Sequence, residues 1–166
     1  LQTRGTQTFT RTATKVFGRP SKSDVAHAHR LLALPPQPET PTLSARQVKR
    51  RLDRFVRSLQ EQAPVVCKVK LEEGRQSQAA ATSRGVALAA DGHFSTGEAL
   101  RLAVHEVGWH VLTAFNGGLQ PLKLLASGTA GYLGDQEGGA VLQELLAPGA
   151  LSIARLQTLA ARTVAV

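Results

Sequence analysis

The pattern of apolar and polar positions divides the chain into a polar front and a more apolar remainder. Residues 1–20 show no apolar periodicity, which predicts an arm that is flexible or held by a neighbouring molecule. A short helix is predicted over residues 24–34, and the prolines of 34–42 predict a linker, because proline removes a backbone donor and fixes φ. We therefore predict a basic arm, short helix and linker over 1–42, and a folded core over 43–166.

A helix with one buried face is predicted directly after the linker. Ser44 and Gln47 have the spacing of a capping box. Apolar residues then recur at helical spacing, at Val48, Leu52, Phe55 and Leu59. Four arginines fall together on another face of this helix: Arg46, Arg50, Arg54 and Arg57. We interpret this arginine face as solvated, with anion binding as the alternative.

Two short strands and a central helix follow. The apolar runs 65–71 and 85–90 favour strands. Ser95 and Glu98 form a second capping box, which opens a helix that is apolar nearly all round through Leu112. Because a helix without a polar face must be covered on every side, this one is predicted to lie at the centre of the core.

The central helix is predicted to end at Asn116-Gly117-Gly118, since glycine readily adopts the left-handed backbone that often follows a helix. Further helices are predicted over 121–127 and over 136–146, where Asp135 is the expected cap, and a last helix is expected to open at Ser152. Together these elements predict an α+β fold that is mostly helical and carries a small β-sheet.

Composition indicates the class of protein and its expected location. Of its 166 residues, 42% are hydrophobic, which is enough for one substantial core. No apolar run approaches the roughly 20 residues needed to cross a bilayer, and the start lacks the apolar region of a secretory signal. The single Cys67 excludes an intrachain disulfide, so we expect a cytoplasmic location. The chain contains no Met, which indicates a processed chain or a piece of a longer one.

The net charge of +8 is concentrated in the first 60 residues, which hold 12 Lys and Arg against 3 Asp and Glu. A basic front half suits nucleic acid, an anionic membrane or an acidic protein tail. The simpler interpretation, which we favour, is a solvated helix face together with a disordered arm.

The central helix contains the motif H-E-V-G-W-H at residues 105–110. Zinc favours imidazole and carboxylate ligands in a tetrahedron, and a glutamate beside the first histidine suits a general base. Histidines five residues apart are about 140° apart on an ideal α-helix, so they converge only if the helix widens by one residue, as in a π-bulge. Gly108 between them makes this distortion easier.

Burial of charge and a later carboxylate strengthen the metal hypothesis. Glu106 lies in the most apolar helix, where an unpaired carboxylate costs several kcal/mol and a bound cation removes that cost. Glu137 opens a second helix at the position expected of a third ligand. Glu144, two turns later, is either a partner of a ligand histidine or a rival third ligand.

Over about 60 residues the chain resembles the tyrosine carboxypeptidase-like metallopeptidases. The family pattern runs HEIGTH or HEVGTH, a helix end with Asn-Gly, then Gln-Pro, a Gly-Tyr loop and Gln-Glu-Gly. The matching segments are His105-Glu106-Val107-Gly108-Trp109-His110, Asn116-Gly117, Gln120-Pro121, Gly131-Tyr132 and Gln136-Glu137-Gly138. The chain departs from this pattern at Trp109, where the family usually has Thr, and at Gly139, where it usually has Leu; we expect the ring to narrow the site and the glycine to loosen the helix.

The resemblance implies a zincin-like two-helix metal site in which His105, His110 and Glu137 bind one Zn²⁺ and Glu106 activates water. It implies a peptide or protein substrate, since animal members remove a C-terminal tyrosine from tubulin. The Ala/Arg/Gly-rich composition looks closer to bacterial members, and the core at 43–166 is expected to be partial, because family members are longer. Tyr132 is a candidate donor to a tetrahedral intermediate, with packing as its alternative role.

Other candidates have simpler explanations. His93 is most simply a turn residue, although it could line a cleft, and Cys67 is expected to be inert. Lys123 and Arg101 are possible partners for a substrate carboxylate. The function we predict is a zinc-dependent peptidase, in particular a carboxypeptidase acting on an acidic C-terminal tail. The alternative is an inactive fragment or a basic module that binds nucleic acid or an acidic partner.

Overall fold

A computed structural model describes residues 7–82, 85–129 and 131–165. The helices are α1 (Gln7–Phe17), α2 (Lys22–Leu32), α3 (Ala45–Gln60), α4 (Thr96–Leu102), the π-helix (Ala103–Val111), α5 (Leu112–Leu119), α6 (Leu124–Ser127), α7 (Leu133–Leu146) and α8 (Ile153–Val164). The strands are β1 (Leu43–Ser44), β2 (Lys68–Glu72), β3 (Ala79–Thr82), β4 (Gly85–Ala89) and β5 (His93–Phe94). The α+β, mostly helical fold class with a small sheet is confirmed.

The chain divides into two compact units, one formed by Leu1–Pro38 with Ser152–Val166 and the other by Glu39–Leu151. In the first unit α2 packs against α8, and each begins at a serine cap, Ser21 and Ser152. The sequence analysis placed the last helix in the core at 43–166, whereas α8 packs against α2. Within the predicted arm, Gln7–Phe17 is helical, which the missing apolar periodicity did not indicate; the first six residues lie outside the described part.

The larger unit is built on a three-stranded sheet with the order β2-β4-β3. All residues of the central strand β4 are buried; β2 pairs with it in parallel and β3 in antiparallel fashion. The predicted strands at 65–71 and 85–90 are confirmed with shifted ends, since β2 begins at Lys68 and β4 ends at Ala89. β3 was not predicted, because three alanines within a polar segment show no strand alternation.

Capping boxes begin helices α3 and α4, as predicted. Ser44 and Gln47 cap α3, and Ser95 and Glu98 cap α4. The short strands β1 and β5, which lead into these helices, pair with each other and bring the two helix starts together. Helix α3 buries the following residues: Ala45, Val48, Leu52 and Val56. Phe55 and Leu59 are partly buried against the same core.

The central helix is continuous from Thr96 to Leu119 through α4, the π-helix and α5. The helix ends at Leu119, one residue after the predicted end at 116–118, but the expected left-handed backbone is wrong, because neither glycine has positive φ. Gly117 instead permits close packing, since a Cβ there would overlap the backbone of Leu125 in α6. In the part of the chain that the structure describes, no helix has the length and apolar character to span a membrane.

The second site-bearing helix, α7, starts earlier than predicted. Its N-cap is Tyr132, and Asp135 lies inside the first turn instead of before it. The buried residues of α7 are Gln136, Ala140 and Glu144, so two polar side chains lie on its inner face. The inner face packs against the π-helix, and this contact forms the candidate site.

Candidate metal centre and cleft

The segment that carries the histidine motif is a π-helix from Ala103 to Val111. A π-helix closes its hydrogen bonds over five residues, so residues i and i+5 face the same side. His105 and His110 accordingly lie together, with ring centroids 5.0 Å apart. The expectation that the helix must widen for these rings to converge is confirmed. Gly108 is not sterically required, because a Cβ there would make only ordinary contacts, 3.6 Å or more from its neighbours.

Glu137 of α7 joins the two histidines. Its carboxylate oxygens lie 3.7 Å from His105 Nε2 and 3.5 Å from His110 Nε2. One ligand atom from each of the three residues lies within 4.8 Å of the other two, and such a group can hold a metal ion. His105 is buried, His110 is partly buried, and the Glu137 side chain is 64% exposed, so the cluster is open at the carboxylate.

Each histidine is oriented by a partner on α7. His105 Nδ1 lies 2.6 Å from Glu144 Oε1, and His110 Nδ1 lies 3.0 Å from Gln136 Oε1. An acceptor at Nδ1 favours the tautomer that carries its proton there and leaves the Nε2 lone pair available. Histidines that bind metals are usually oriented in this way. Both Nε2 atoms therefore face Glu137 with their lone pairs free for a ligand.

Glu144 lies outside the group of three potential ligands. It contacts the Nδ1 side of His105, opposite the cluster, and is fully buried. Arg101 Nη1 lies 4.0 Å from the same carboxylate oxygen. A buried carboxylate needs such neighbours because desolvation strongly disfavours its charge. Glu144 thus lies where it can orient His105, and Arg101 lies on this buried side.

The donor set fits a tetrahedral metal ion. Zinc bonds to nitrogen and carboxylate oxygen at about 2.0–2.2 Å, which places neighbouring ligand atoms about 3.4 Å apart in a tetrahedron. The separations of 3.5 and 3.7 Å, each to a different oxygen of Glu137, are close to this value, and the three ligand atoms all lie within 4.8 Å of one another. Three protein ligands leave a fourth position open, as hydrolytic sites require.

A cleft of about 470 Å³ opens beside the cluster. Its walls include all of β3, the residues of the cluster, Glu106, Gln136 and Tyr132. Glu106 is 9% exposed, and its carboxylate forms no hydrogen bond or ion pair with any residue in the described ranges. The ring of Tyr132 packs over Gly128, where a Cβ would overlap it. The cleft therefore brings together the predicted metal-binding and catalytic residues.

Other sequence candidates lie away from this cleft. Lys123 Nζ donates to the carbonyl of Gly118, and neither it nor Arg101 lines the cleft. His93 is exposed and does not line the cleft; it lies in strand β5, just after the predicted turn, with Nδ1 3.1 Å from the carbonyl of Asp91. Burial, and secondarily the Asp53 carboxylate, raises the pKa of the Cys67 thiol to about 11, so this thiol is protonated at neutral pH, in agreement with an inert residue.

Sequence reasoning missed two contributors to the site. Gln136 lies within hydrogen-bond distance of His110, but the sequence indicated it only as part of the Gln-Glu-Gly pattern. Its position next to Glu137 was the signal that could have placed it at the site. The strand β3 lines the cleft, yet its alanine-rich sequence gives no sign of function. Both roles depend on tertiary placement.

The fold and the site together define an α+β protein with a potential His-His-carboxylate metal centre in an open cleft. A scan against family models matches the whole chain, residues 1–166, to the family described as microtubule-associated tyrosine carboxypeptidase. The chain belongs to this family, and it is therefore a carboxypeptidase-like peptidase. Searches among curated proteins and among solved structures gave no match.

Proposed function

We propose that the protein is a zinc-dependent carboxypeptidase that removes residues from the C-terminus of peptides or proteins. The observation that carries this proposal is the convergence of two imidazole nitrogens and a carboxylate at the floor of an open cleft. Membership in a family of carboxypeptidase-like peptidases supports the reaction type. The π-helix supports the ligand assignment, because without it the two histidines would diverge.

In this proposal His105, His110 and Glu137 hold the metal ion. When bound, the ion supplies a Lewis acid that polarises the scissile carbonyl and makes a water molecule easier to deprotonate. Glu144 and Gln136 keep the two imidazoles in the required tautomer and orientation.

Glu106 is the general base. Its carboxylate lines the cleft and has no partner among the described residues, so it is available to a water molecule. It accepts a proton from the water that adds to the scissile carbonyl carbon, and it delivers that proton to the departing amine nitrogen as the C–N bond breaks. The Tyr132 hydroxyl, also in the cleft wall, donates a hydrogen bond to the carbonyl oxygen as negative charge develops on it.

The edge strand β3 provides a surface for the substrate backbone. The hydrogen bond from Ala89 N–H to the Gln78 carbonyl makes these residues a hydrogen-bonded pair of the β3–β4 ladder. Because antiparallel pairs alternate, Ala80 and Thr82 also face β4, whereas the backbone groups of Ala79 and Ala81 point to the open edge. An extended peptide can pair there while its scissile bond lies over the cluster.

Proline at Ala81 tests this pairing, because it removes an N–H that faces the open edge and costs no bond to β4. We expect Ala81→Pro to lower kcat/KM roughly 2- to 10-fold, the effect of one lost hydrogen bond of about 0.5–1.5 kcal/mol. The melting temperature should stay near that of the unaltered protein. Ala80→Pro is the matched control and should lower the melting temperature, since its N–H pairs with β4. Unchanged kcat/KM in a folded Ala81→Pro protein would contradict pairing at β3.

We further propose that the substrate carries an acidic C-terminal tail. Support comes from α3, where four arginines surround a depression of about 400 Å³ with Leu43, Gln47 and Asp53: Arg50, Arg51, Arg54 and Arg57. None of these arginines forms an ion pair with a residue of the described part. Unpaired guanidinium groups are suited to bidentate contacts with carboxylates, and α3 belongs to the same compact unit as the cleft. The tyrosine in the family's description suggests an aromatic last residue.

Mass spectrometry of peptide digests tests the proposed reaction. We expect the protein to remove single residues from the C-terminus of a glutamate-rich peptide that ends in tyrosine, and to leave the same peptide intact when its C-terminus is amidated. Removing metal with a chelator should abolish cleavage, and one equivalent of Zn²⁺ should restore it. A peptide with glutamines in place of glutamates is the control for the acidic preference.

Each outcome has a distinct meaning. Internal cleavage of the amidated peptide would contradict carboxypeptidase action but retain a peptidase. Cleavage that persists after complete metal removal would contradict metal dependence. If no peptide is cleaved and the protein instead binds duplex DNA with a steep salt dependence, the basic binding module becomes the better assignment.

A further inference from the structure

Two unusual residues of the site-bearing helices contact each other. Trp109 lies on the π-helix between the two histidines, and Gly139 lies on α7 two residues after Glu137. A Cβ built on Gly139 would lie 2.7 Å from Cη2 of the Trp109 ring and would overlap two further ring atoms. The large ring and the missing side chain are therefore complementary in shape.

Packing alone holds the indole. Its Nε1–H is buried and has no hydrogen-bond partner among the residues that the structure describes. An unsatisfied buried donor is costly, so the shape match at Gly139 must outweigh that cost. Trp109 does not line the cleft, which contradicts the expectation that its ring narrows the site. The ring instead lies between the two helices that carry the cluster.

We propose that Trp109 is a positioning residue, which sets the spacing between the π-helix and α7 by seating its ring against the backbone of Gly139. This spacing holds the Glu137 carboxylate 3.5–3.7 Å from the two histidine nitrogens. The inference rests on the proposed metal site, since its consequence is the geometry of the three ligands. The seating of the ring also explains why residue 139 is a glycine. From the sequence alone, this glycine was expected to loosen the helix.

The neighbouring glycine shows that the requirement is local. A Cβ on Gly138 would meet nothing within 4 Å, so alanine is sterically acceptable there. Alanine at 139 requires the ring or α7 to shift, and α7 carries Glu137 as well as both orienting partners of the histidines. Metal ligands tolerate displacements of only about 0.2 Å, and small shifts of α7 should therefore weaken metal binding.

The affinity of the protein for Zn²⁺, measured by competition with a chromophoric chelator, tests the proposal. We expect Gly139→Ala to bind Zn²⁺ at least about tenfold more weakly than the unaltered protein, whereas Gly138→Ala should stay within about twofold. Trp109 is the only tryptophan, so its fluorescence reports on this contact directly. The emission spectrum should change in Gly139→Ala and remain unchanged in Gly138→Ala.

A compensating substitution separates positioning from a general loss of stability. Trp109→Leu removes the ring that the new methyl group would meet, so Gly139→Ala should then cost less Zn²⁺ affinity. The Zn²⁺ affinity of the double variant should lie within about threefold of that of Trp109→Leu alone. Equal affinities of the two alanine variants, or equal costs of Gly139→Ala in both backgrounds, would overturn the inference. If the unaltered protein binds no Zn²⁺, the proposed function fails as well, and that result is distinguishable from these.

Discussion

Replacing Glu106 with glutamine should lower kcat by about 10²- to 10⁴-fold, the usual contribution of a general base, while leaving metal content unchanged. The amide keeps the shape of the side chain but cannot accept the proton from water. Glu106 lines the cleft and lies outside the group of three ligand candidates, so its loss should not release the ion. The measurements are the initial rate on a tyrosine-ended peptide and elemental analysis of the same sample.

Glu73→Gln is the control for this experiment. Glu73 is an exposed glutamate of the same compact unit and lies outside the cleft, so its replacement should leave both rate and metal content unchanged. If Glu106→Gln retains full activity, another group must deprotonate water. If it loses its metal, Glu106 is part of the coordination shell and the assignment of ligands is wrong.

Replacing Glu137 with alanine should weaken Zn²⁺ binding by more than about 100-fold, because altering a mere orienting partner commonly costs 10- to 100-fold. Hydrolysis should disappear with the metal. Glu144→Gln tests the orienting role and should fall within that smaller range, since its amide oxygen can still accept a bond from His105. Isothermal titration with Zn²⁺ measures both effects on one scale.

Asp135→Ala is the matched control for Glu137. Asp135 is an exposed carboxylate in the first turn of the same helix and is not part of the cluster. Its removal should therefore leave Zn²⁺ affinity nearly unchanged. Equal losses in the two variants would indicate that the metal responds to the charge of α7 as a whole and that Glu137 is not a ligand.

Much of the central architecture was predictable, because it depends on local signals. The capping boxes at Ser44 and Ser95 satisfy backbone donors from within one turn, so their effect is independent of tertiary contacts. The widened helix was also foreseen, since histidines five residues apart can meet only on such a segment. In both cases spacing along the chain determines the structure.

Features that depend on distant partners were not predictable in this way. β3 is a strand because its backbone pairs with β4, although its alanines favour no strand. Helix α8 packs with α2, which is more than 100 residues earlier in the chain. The contact between Trp109 and Gly139 was visible only as two separate departures from a pattern, since nothing in the sequence reports that they meet.

The π-helix accommodates one extra residue without changing the direction in which the following side chains point. Five steps around a π-helix return to the same side, as four steps do around an α-helix. Deleting Gly108 with a return to α-helical geometry would therefore leave the side chains of α5 in their present phase, and Gly117 would still lie against the backbone of Leu125. The spacing of the histidines could thus change from five residues to four by a single deletion, with no compensating change in α5 or α6.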